Sequence, residues 1–293
     1  MSRKLHKFQT EAEYQAYSAS TEYTTPCVAL IVDTNVIYYD YGSNKPQAPD
    51  LSDYKGEFQE SSIGGDYWGK SAITKVHYIP SGVTDLDSAF KSYTNLQEVT
   101  CELPSVVTDM SYTFSGCTSL ITSPEIPSGV TMMDSTFFDC SSLVNAPSVI
   151  PSGVKIMWRT FKNCSKLVNA PRIQNGVNSL RESFYGCSSL VNVLEIPYSV
   201  TQMMETFCGC SNLVNVAPIP SEVMDLQVTF SGCTSLKELT ILPTTPQVYW
   251  DTLTDCPIES IYVPDSALED YRTATGWSQF ASKFKPLSSK PSE

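Results

Sequence analysis

The sequence predicts a mainly β repeat solenoid of about nine coils, each 23 or 24 residues long. One observation is a motif of Phe, two residues, Cys, two residues and Leu, which returns at this fixed spacing. Another is an apolar run that follows each Leu and usually ends at a proline. A repeat of this length is one supersecondary unit that cannot bury its apolar side alone, so successive units are expected to stack. The motif copies begin at Phe114, Phe137, Phe161, Phe184, Phe207 and Phe230.

The first residues of the predicted strands give the number of coils. They are Ile73, Leu96, Leu120, Leu143, Leu167, Leu190, Leu213, Leu236 and Ile258. Proline stops most of these strands because it cannot donate to a strand ladder. The residue before the Cys of each motif copy is Gly, Asn or Asp, the types that tolerate a positive φ, so this position is predicted to be left-handed.

Three segments are predicted along the chain. Residues 1–62 form a small α+β module, residues 63–264 form the repeat array, and residues 265–293 form a helical cap. A solenoid needs capping units because its terminal coils would otherwise expose the core. The C-terminal helix is expected to stop at Gly276, after which three aromatic residues can cover the last coil. They are Trp277, Phe280 and Phe284.

Local signals place the elements of the two end segments. Thr10 followed by Glu13 is a capping-box pattern and predicts a short helix near the start. Two β-rich runs on either side of residues 33–35 predict a hairpin. Ser266 followed by Glu269 predicts a second capping box at the start of the C-terminal helix.

Composition excludes several classes of function. The net charge is −12 and no basic patch is visible, so we expect no nucleic-acid partner. No apolar run reaches about 18 residues, so we expect no membrane insertion. Polar residues follow the basic start where a signal peptide needs an apolar stretch, so export through such a signal is not expected.

The ten cysteines do not indicate a disulfide framework. An odd, evenly spaced series cannot pair completely, which favours a stack of small buried thiols. The seven residues of this series are Cys117, Cys140, Cys164, Cys187, Cys210, Cys233 and Cys256. Cys208 and Cys210 resemble half of a metal site, but no second ligand pair accompanies them. The repeated Met and Phe residues are interpreted as core.

No catalytic constellation is found in the sequence. The two histidines, His6 and His77, are not accompanied by a nucleophile or a metal motif. Asp85, Asp109 and Asp225 share one repeat position, but apolar and neutral residues interrupt the series. We therefore expect no enzyme activity, no cofactor and no metal.

Two sets of outward-facing positions are candidate binding surfaces. The first is a polar series along the predicted strands: Glu98, Asn145, Asn169, Asn192, Asn215 and Glu238. The amides could bind one another and stabilise the stack, or form a polar stripe for a glycan or protein. The second set is aromatic and lies near the Phe of each motif: Phe138, Trp158 and Tyr185. Exposed aromatic residues there would suit carbohydrate or protein contact.

The repeat resembles the BspA-type leucine-rich repeat of bacterial surface proteins, bacteriophages and some protists. The segment from Met133 to Leu143 carries the matching pattern, an apolar residue, Thr-Phe, two residues, Cys, two residues and Leu. The stretch from Ile261 to Pro286 is similar to the terminal cap of that family. The resemblance implies a leucine-rich-repeat array that binds other molecules.

Residues 4–13 and 25–30 are similar to a module at the start of structural proteins in tailed phages of gut Bacteroidales. This resemblance implies a virion protein made in host cytoplasm, attached to other virion proteins through residues 1–62. Its array would bind a host-surface protein or glycan. The alternatives are an extracellular adhesin on a bacterial cell surface and a cytoplasmic protein-interaction scaffold. The sequence leaves open whether the chain forms a homo-oligomer.

Overall fold

The computed structural model describes residues 4–8, 27–31, 36–40, 74–76, 79, 83–246 and 251–291. The helix predicted after Thr10 and the loop at residues 33–35 lie outside the described residues. Within the described part, the chain winds into a solenoid of about nine turns, which confirms the predicted fold class. The strands are β1 (Lys4–Phe8), β2 (Cys27–Ile31), β3 (Val36–Asp40), β4 (Lys75–Val76), β5 (Glu98–Val99), β6 (Val149–Ile150), β7 (Arg172–Ile173), β8 (Asn192–Val193), β9 (Asn215–Val216), β10 (Glu238–Thr240), β11 (Ser260–Val263) and β12 (Phe284–Pro286).

The predicted hairpin is confirmed and joins the sheet of the first coils. Strands β2 and β3 pair antiparallel, with Cys27 opposite Asp40. Strand β3 then pairs in parallel with β4, with Val36 opposite Lys75. Strand β1, which the sequence analysis does not predict, pairs in parallel with β2, so the sheet order is β1-β2-β3-β4-β5.

The strands of the array are shorter than predicted. The run from Leu236 to Pro243 is expected to be one strand, but the strand β10 spans only Glu238–Thr240. In a strand, successive side chains point to opposite faces, whereas Val144 and Asn145 are both exposed. The chain therefore bends between these positions, and isolated parallel bridges such as Asn169 to Asn192 join some coils in place of strands.

The Phe residues of the motif stack along the axis of the solenoid and confirm the predicted core. Neighbouring rings from Phe90 to Phe230 have centroids 5.3–5.7 Å apart and planes 6–20° from parallel. This offset stacking avoids a direct face-to-face contact of the electron-rich ring faces. All seven rings are fully buried, so each coil supplies one layer of a continuous core.

Buried polar groups bond from one coil to the next. The thiol of Cys164 donates to the carbonyl of Phe137 in the preceding coil at 3.1 Å. The hydroxyl of Thr136 lies 2.9 Å from the carbonyl of Met110 and 2.8 Å from that of Met133. These contacts satisfy polar atoms that have no access to water, as buried groups require. Six of the seven Cys residues of the repeat are buried and Cys256 is partly exposed, so the predicted stack of buried thiols is confirmed except at its last member.

Two residues per coil take a left-handed backbone conformation. The predicted position before Cys does so, with φ of 63° at Asn163 and 71° at Gly186. A second position, two residues before the Phe, was not predicted, and φ is 55° at Arg159 and 53° at Glu182. The alternating backbone sends every second N–H to the next coil, as in the 2.8 Å bond from Phe161 to the Ser183 carbonyl.

The C-terminal segment covers the last coil. It contains a 3-10 helix (Asp265–Ala267), the α-helix α1 (Leu268–Thr273) and two further 3-10 helices (Ser278–Lys283 and Leu287–Ser289). Tyr271, Trp277 and Phe284 pack together with ring centroids 5.4–6.0 Å apart, and all three are buried. Strand β12 pairs in parallel with β11 and so continues the stack.

The predicted start and end of the C-terminal helix are wrong. Neither Ser266 nor Glu269 makes a capping hydrogen bond, because a 3-10 turn begins at Asp265 and places Ser266 inside the helical segment. Glu269 instead pairs with Arg272 at 2.6 Å. Helix α1 ends at Thr273, and Gly276, with φ of 84°, lies in the turn that follows.

Candidate functional site

A cluster of charged and aromatic side chains lies on two adjacent coils, around the carboxylate of Glu182. The members of this Glu182 cluster are Trp158, Arg159, Lys162, Arg181, Glu182 and Tyr185. They flank the buried Phe stack, at the repeat positions two and three residues before the Phe and one residue after it. Because the same positions of neighbouring coils lie side by side, residues distant in sequence meet on one surface.

Glu182 is the centre of this cluster and is almost completely buried, with a side chain 4% exposed. Its Oε2 accepts from Arg159 Nε at 2.8 Å and from Lys162 Nζ at 2.6 Å. Its Oε1 accepts from Arg159 Nη2 and from Trp158 Nε1, both at 3.3 Å. A buried carboxylate needs such compensation because desolvation strongly disfavours its charge.

Two electrostatic effects set the charge state of Glu182. Burial acts to raise the pKa of the carboxyl, but hydrogen bonds from Arg159, Lys162 and Trp158 favour the charged form and lower the pKa to about 2. The carboxylate is therefore ionised over the whole neutral range. Together with Arg159, Lys162 and Arg181, it leaves the cluster with two positive charges in excess.

The two aromatic rings of the cluster are held by cations. The guanidinium of Arg159 lies over Trp158, 4.4 Å from the ring centroid. The ammonium of Lys162 lies over Tyr185 at 4.1 Å. Both rings are partly exposed, so they combine a fixed position with a surface that another molecule can touch.

The backbone explains why these residues meet. Arg159 and Glu182 occupy the same left-handed position in successive coils, a position that holds Ser135 in the preceding coil and Glu205 in the following one. The N–H of Arg159 bonds to the carbonyl of Arg181 at 3.2 Å, which keeps the two coils in register. A left-handed conformation costs a residue other than Gly roughly 1 kcal/mol, and here bonds between the coils stabilise it.

The structure separates the predicted aromatic surface into two parts. Trp158 and Tyr185 belong to the Glu182 cluster, whereas Phe138 lies on the preceding coil and is half-buried. The charged members of the cluster, Arg159, Lys162, Arg181 and Glu182, are not among the residues predicted from the sequence. A signal was available, because Arg159 and Glu182 carry opposite charges at one repeat position and are spaced one coil apart.

The predicted series of amides forms separate pairs rather than one continuous ladder. Asn215 donates to Asn192 Oδ1 at 2.7 Å, and Asn145 donates to Thr122 Oγ1 at 3.1 Å. Asn169 is joined to Asn192 by a backbone bridge. At the ends of the series, Glu98 pairs with Lys75 at 2.9 Å and Glu238 with Lys290 at 3.4 Å. Whether these residues bind a ligand stays a prediction.

Cys164 and Cys208 are poorly placed for nucleophilic chemistry. Burial raises the pKa of the Cys164 thiol well above its usual value, and the same cause raises the pKa of the partly exposed Cys208. Since the thiolate is the nucleophile and the metal ligand, neither residue is activated. Among the described residues, no group of three or more His, Cys, Asp or Glu side chains could hold a metal ion.

The stacked coils with their Phe and Cys series define a leucine-rich-repeat solenoid. Residues 61–182 and 154–274 match the family described as BspA type leucine rich repeat region, with 6 copies of the repeat. Because these ranges cover well over half of the chain, the chain belongs to this family. Proteins built on this repeat and fold are typically non-enzymatic.

Several solved structures are similar to this chain. The leucine-rich repeat protein TpLRR of Treponema pallidum is 23% identical, over 74% of this chain and 89% of its own, with a TM-score of 0.48. A leucine-rich repeat protein from Bacteroides ovatus is 20% identical, over 75% and 85%, with a TM-score of 0.28. A leucine-rich cell surface protein from Faecalibacterium prausnitzii is 22% identical, over 73% and 78%, with a TM-score of 0.31.

No curated protein shows significant similarity to this chain. The family match starts at residue 61, so the resemblance of the N-terminal residues to a phage module stays a prediction. In the part of the chain that the structure describes, no helix has the length and apolar character needed to cross a membrane.

Proposed function

We propose that the chain is a non-enzymatic adhesion protein, which binds a glycan or protein of a host surface through the face that carries the Glu182 cluster. The single observation that supports this function is the fixed, partly exposed pair of rings, Trp158 and Tyr185. Aromatic residues that are already ordered lose little conformational entropy when a partner binds. A stack of bonded coils is a rigid support for such a site.

Adhesion to mucin tests this function directly. The full chain, fluorescently labelled, is expected to bind a mucin-coated surface, and Trp158→Ala is expected to weaken that binding by about tenfold or more, as loss of an aromatic anchor does. Tyr198→Ala is the matched control, because Tyr198 is 71% exposed and lies outside the cluster. Equal binding by both variants would show that the Glu182 cluster is not the adhesive surface.

The proposed place of this function is a bacteriophage virion. The resemblance of residues 4–13 and 25–30 to a phage module supports it, with residues 1–62 attaching the chain to other virion proteins. A bacterial cell-surface adhesin accounts for the repeat family equally well. Mass spectrometry of purified virions separates the two, because recovery of the chain only from bacterial cell envelopes would refute the virion location.

A further inference from the structure

We propose that the Glu182 cluster binds a glycan that carries a single acidic group, a carboxylate or a sulfate, beside Arg181. The inference rests on the proposed function and narrows the ligand to one chemical class. It follows from how the donors and acceptors of the cluster are distributed, which leaves one cation with unused hydrogen-bonding capacity.

The acceptor capacity of Glu182 is taken up by three residues other than Arg181. Four donor contacts from Arg159, Lys162 and Trp158, at 2.6–3.3 Å, fall on the two carboxylate oxygens. An ionised carboxylate offers about four lone-pair sites. Arg181 is left at 3.6 Å from Oε1, beyond the length of an ordinary hydrogen bond.

Arg181 is thus a surplus cation at the edge of the cluster. Its side chain is 51% exposed, and among the described residues its guanidinium forms an ion pair with Glu182 alone. A guanidinium has five N–H donors in a planar fork. Carboxylate and sulfate oxygens match that fork and can accept two parallel bonds from it.

The neighbouring rings indicate that the acidic group belongs to a sugar. Trp158 and Tyr185 lie on the same two coils as Arg181 and are partly exposed. Arg159 and Lys162 each cover a face of one ring, and the exposed part of each ring is suited to the apolar side of a sugar ring, while Arg181 supplies the polar contact. Small-molecule sites commonly combine an aromatic wall with a few fixed polar groups in this way.

The coils on either side limit the ligand to one acidic group. The preceding coil carries Asp134 at the repeat position of Trp158, and the following coil carries Glu205 at the repeat position of Glu182. Neighbouring coils are about 5 Å apart, which is less than the screening length of about 8 Å at physiological salt. A polyanion laid along the axis would meet these carboxylates, and the net charge of −12 would repel it further.

A titration with three sugars that share one core tests the proposal. The full chain is titrated with sialyllactose, sulfolactose and lactose, followed by NMR line broadening or calorimetry. We expect at least one acidic sugar to bind about tenfold or more tightly than lactose, as a charged hydrogen bond implies. Arg181→Gln should remove this preference. Arg172→Gln, a 68% exposed arginine that pairs with Glu195 at 3.5 Å, should retain it.

The outcomes separate this inference from the function on which it rests. Preference for an acidic sugar that disappears in R181Q and persists in R172Q supports the inference and identifies the acid as carboxylate or sulfate. Equal binding of all three sugars, or tighter binding of heparin, overturns the inference. If mucin binding is also unchanged in R181Q but lost in the Trp158 variant, the adhesion function is supported and the acidic-glycan inference is refuted. If the chain does not bind mucin at all, the adhesion function and the acidic-glycan inference are both refuted.

Discussion

Replacement of Glu182 by Gln gives the sharpest test of the buried charge cluster. The substitution keeps the size of the side chain and removes the charge that Arg159, Lys162 and Trp158 stabilise. Those bonds hold the pKa at about 2 against an ordinary value of 4.5. A difference of one pKa unit between the folded and unfolded protein corresponds to about 1.4 kcal/mol. The ionised carboxylate therefore contributes about 3 kcal/mol to the free energy of unfolding at neutral pH.

The pH dependence of this loss follows from the direction of the shift. A carboxyl with a lowered folded-state pKa adds its full contribution above pH 4.5 and loses it as the pH falls toward about 2. The difference in stability between the natural chain and Glu182→Gln should therefore be about 3 kcal/mol at pH 7 and shrink steadily below pH 4.5. Urea unfolding followed by circular dichroism, at several pH values, measures it.

Glu205→Gln is the matched control for this experiment. Glu205 occupies the same left-handed repeat position one coil later and is only half-buried. Among the described residues, no cation lies within ion-pair distance of it. We expect this control to change stability by less than about 0.5 kcal/mol. A pH-independent loss in Glu182→Gln, or equal losses in both variants, would refute the reasoning.

Three further predictions concern the core and the turns. Phe161→Ala should cost about 3–5 kcal/mol, measured by urea unfolding, because it opens a cavity between two stacked rings. Gly153→Ala should lower the melting temperature more than Gly129→Ala, because the new Cβ would lie 2.8 Å from a backbone oxygen rather than 3.3 Å. Cys164 should resist a thiol reagent in the native protein and react after unfolding, since burial raises its pKa; rapid native labelling would contradict its burial.

Periodicity explains why the fold could be predicted in such detail. Each apolar repeat position recurs in every coil, so burial of Phe161 or Cys164 follows from the whole series rather than from one local pattern. The left-handed position before Cys could be predicted because Gly, Asn and Asp occupy it. The second left-handed position could not, because residues such as Arg159 and Val228 disfavour a positive φ, and bonds between coils override that preference.

The candidate site was harder to predict because it depends on differences between coils. Along their repeat positions, Trp158 and Tyr185 stand out as aromatic exceptions. The contact of Glu182 with Arg159 stays within one repeat position, whereas its contacts with Trp158 and Lys162 run diagonally, from one repeat position of a coil to another position of its neighbour. Such pairs become visible only when the register between coils is known. The prediction that Ser266 caps the C-terminal helix was wrong for a simpler reason, since a 3-10 turn already begins at Asp265.

The way the stack ends has a consequence for the solubility of the protein. Strand β12 is the outer strand of its sheet, so its free edge could serve as a template on which another chain adds a further strand. Pro286, the last residue of β12, has no N–H to offer, and Lys290 folds back to bond Thr240 at 3.0 Å. This edge is therefore poorly suited to accept a second molecule, and the C-terminal segment limits growth of the array into a fibre.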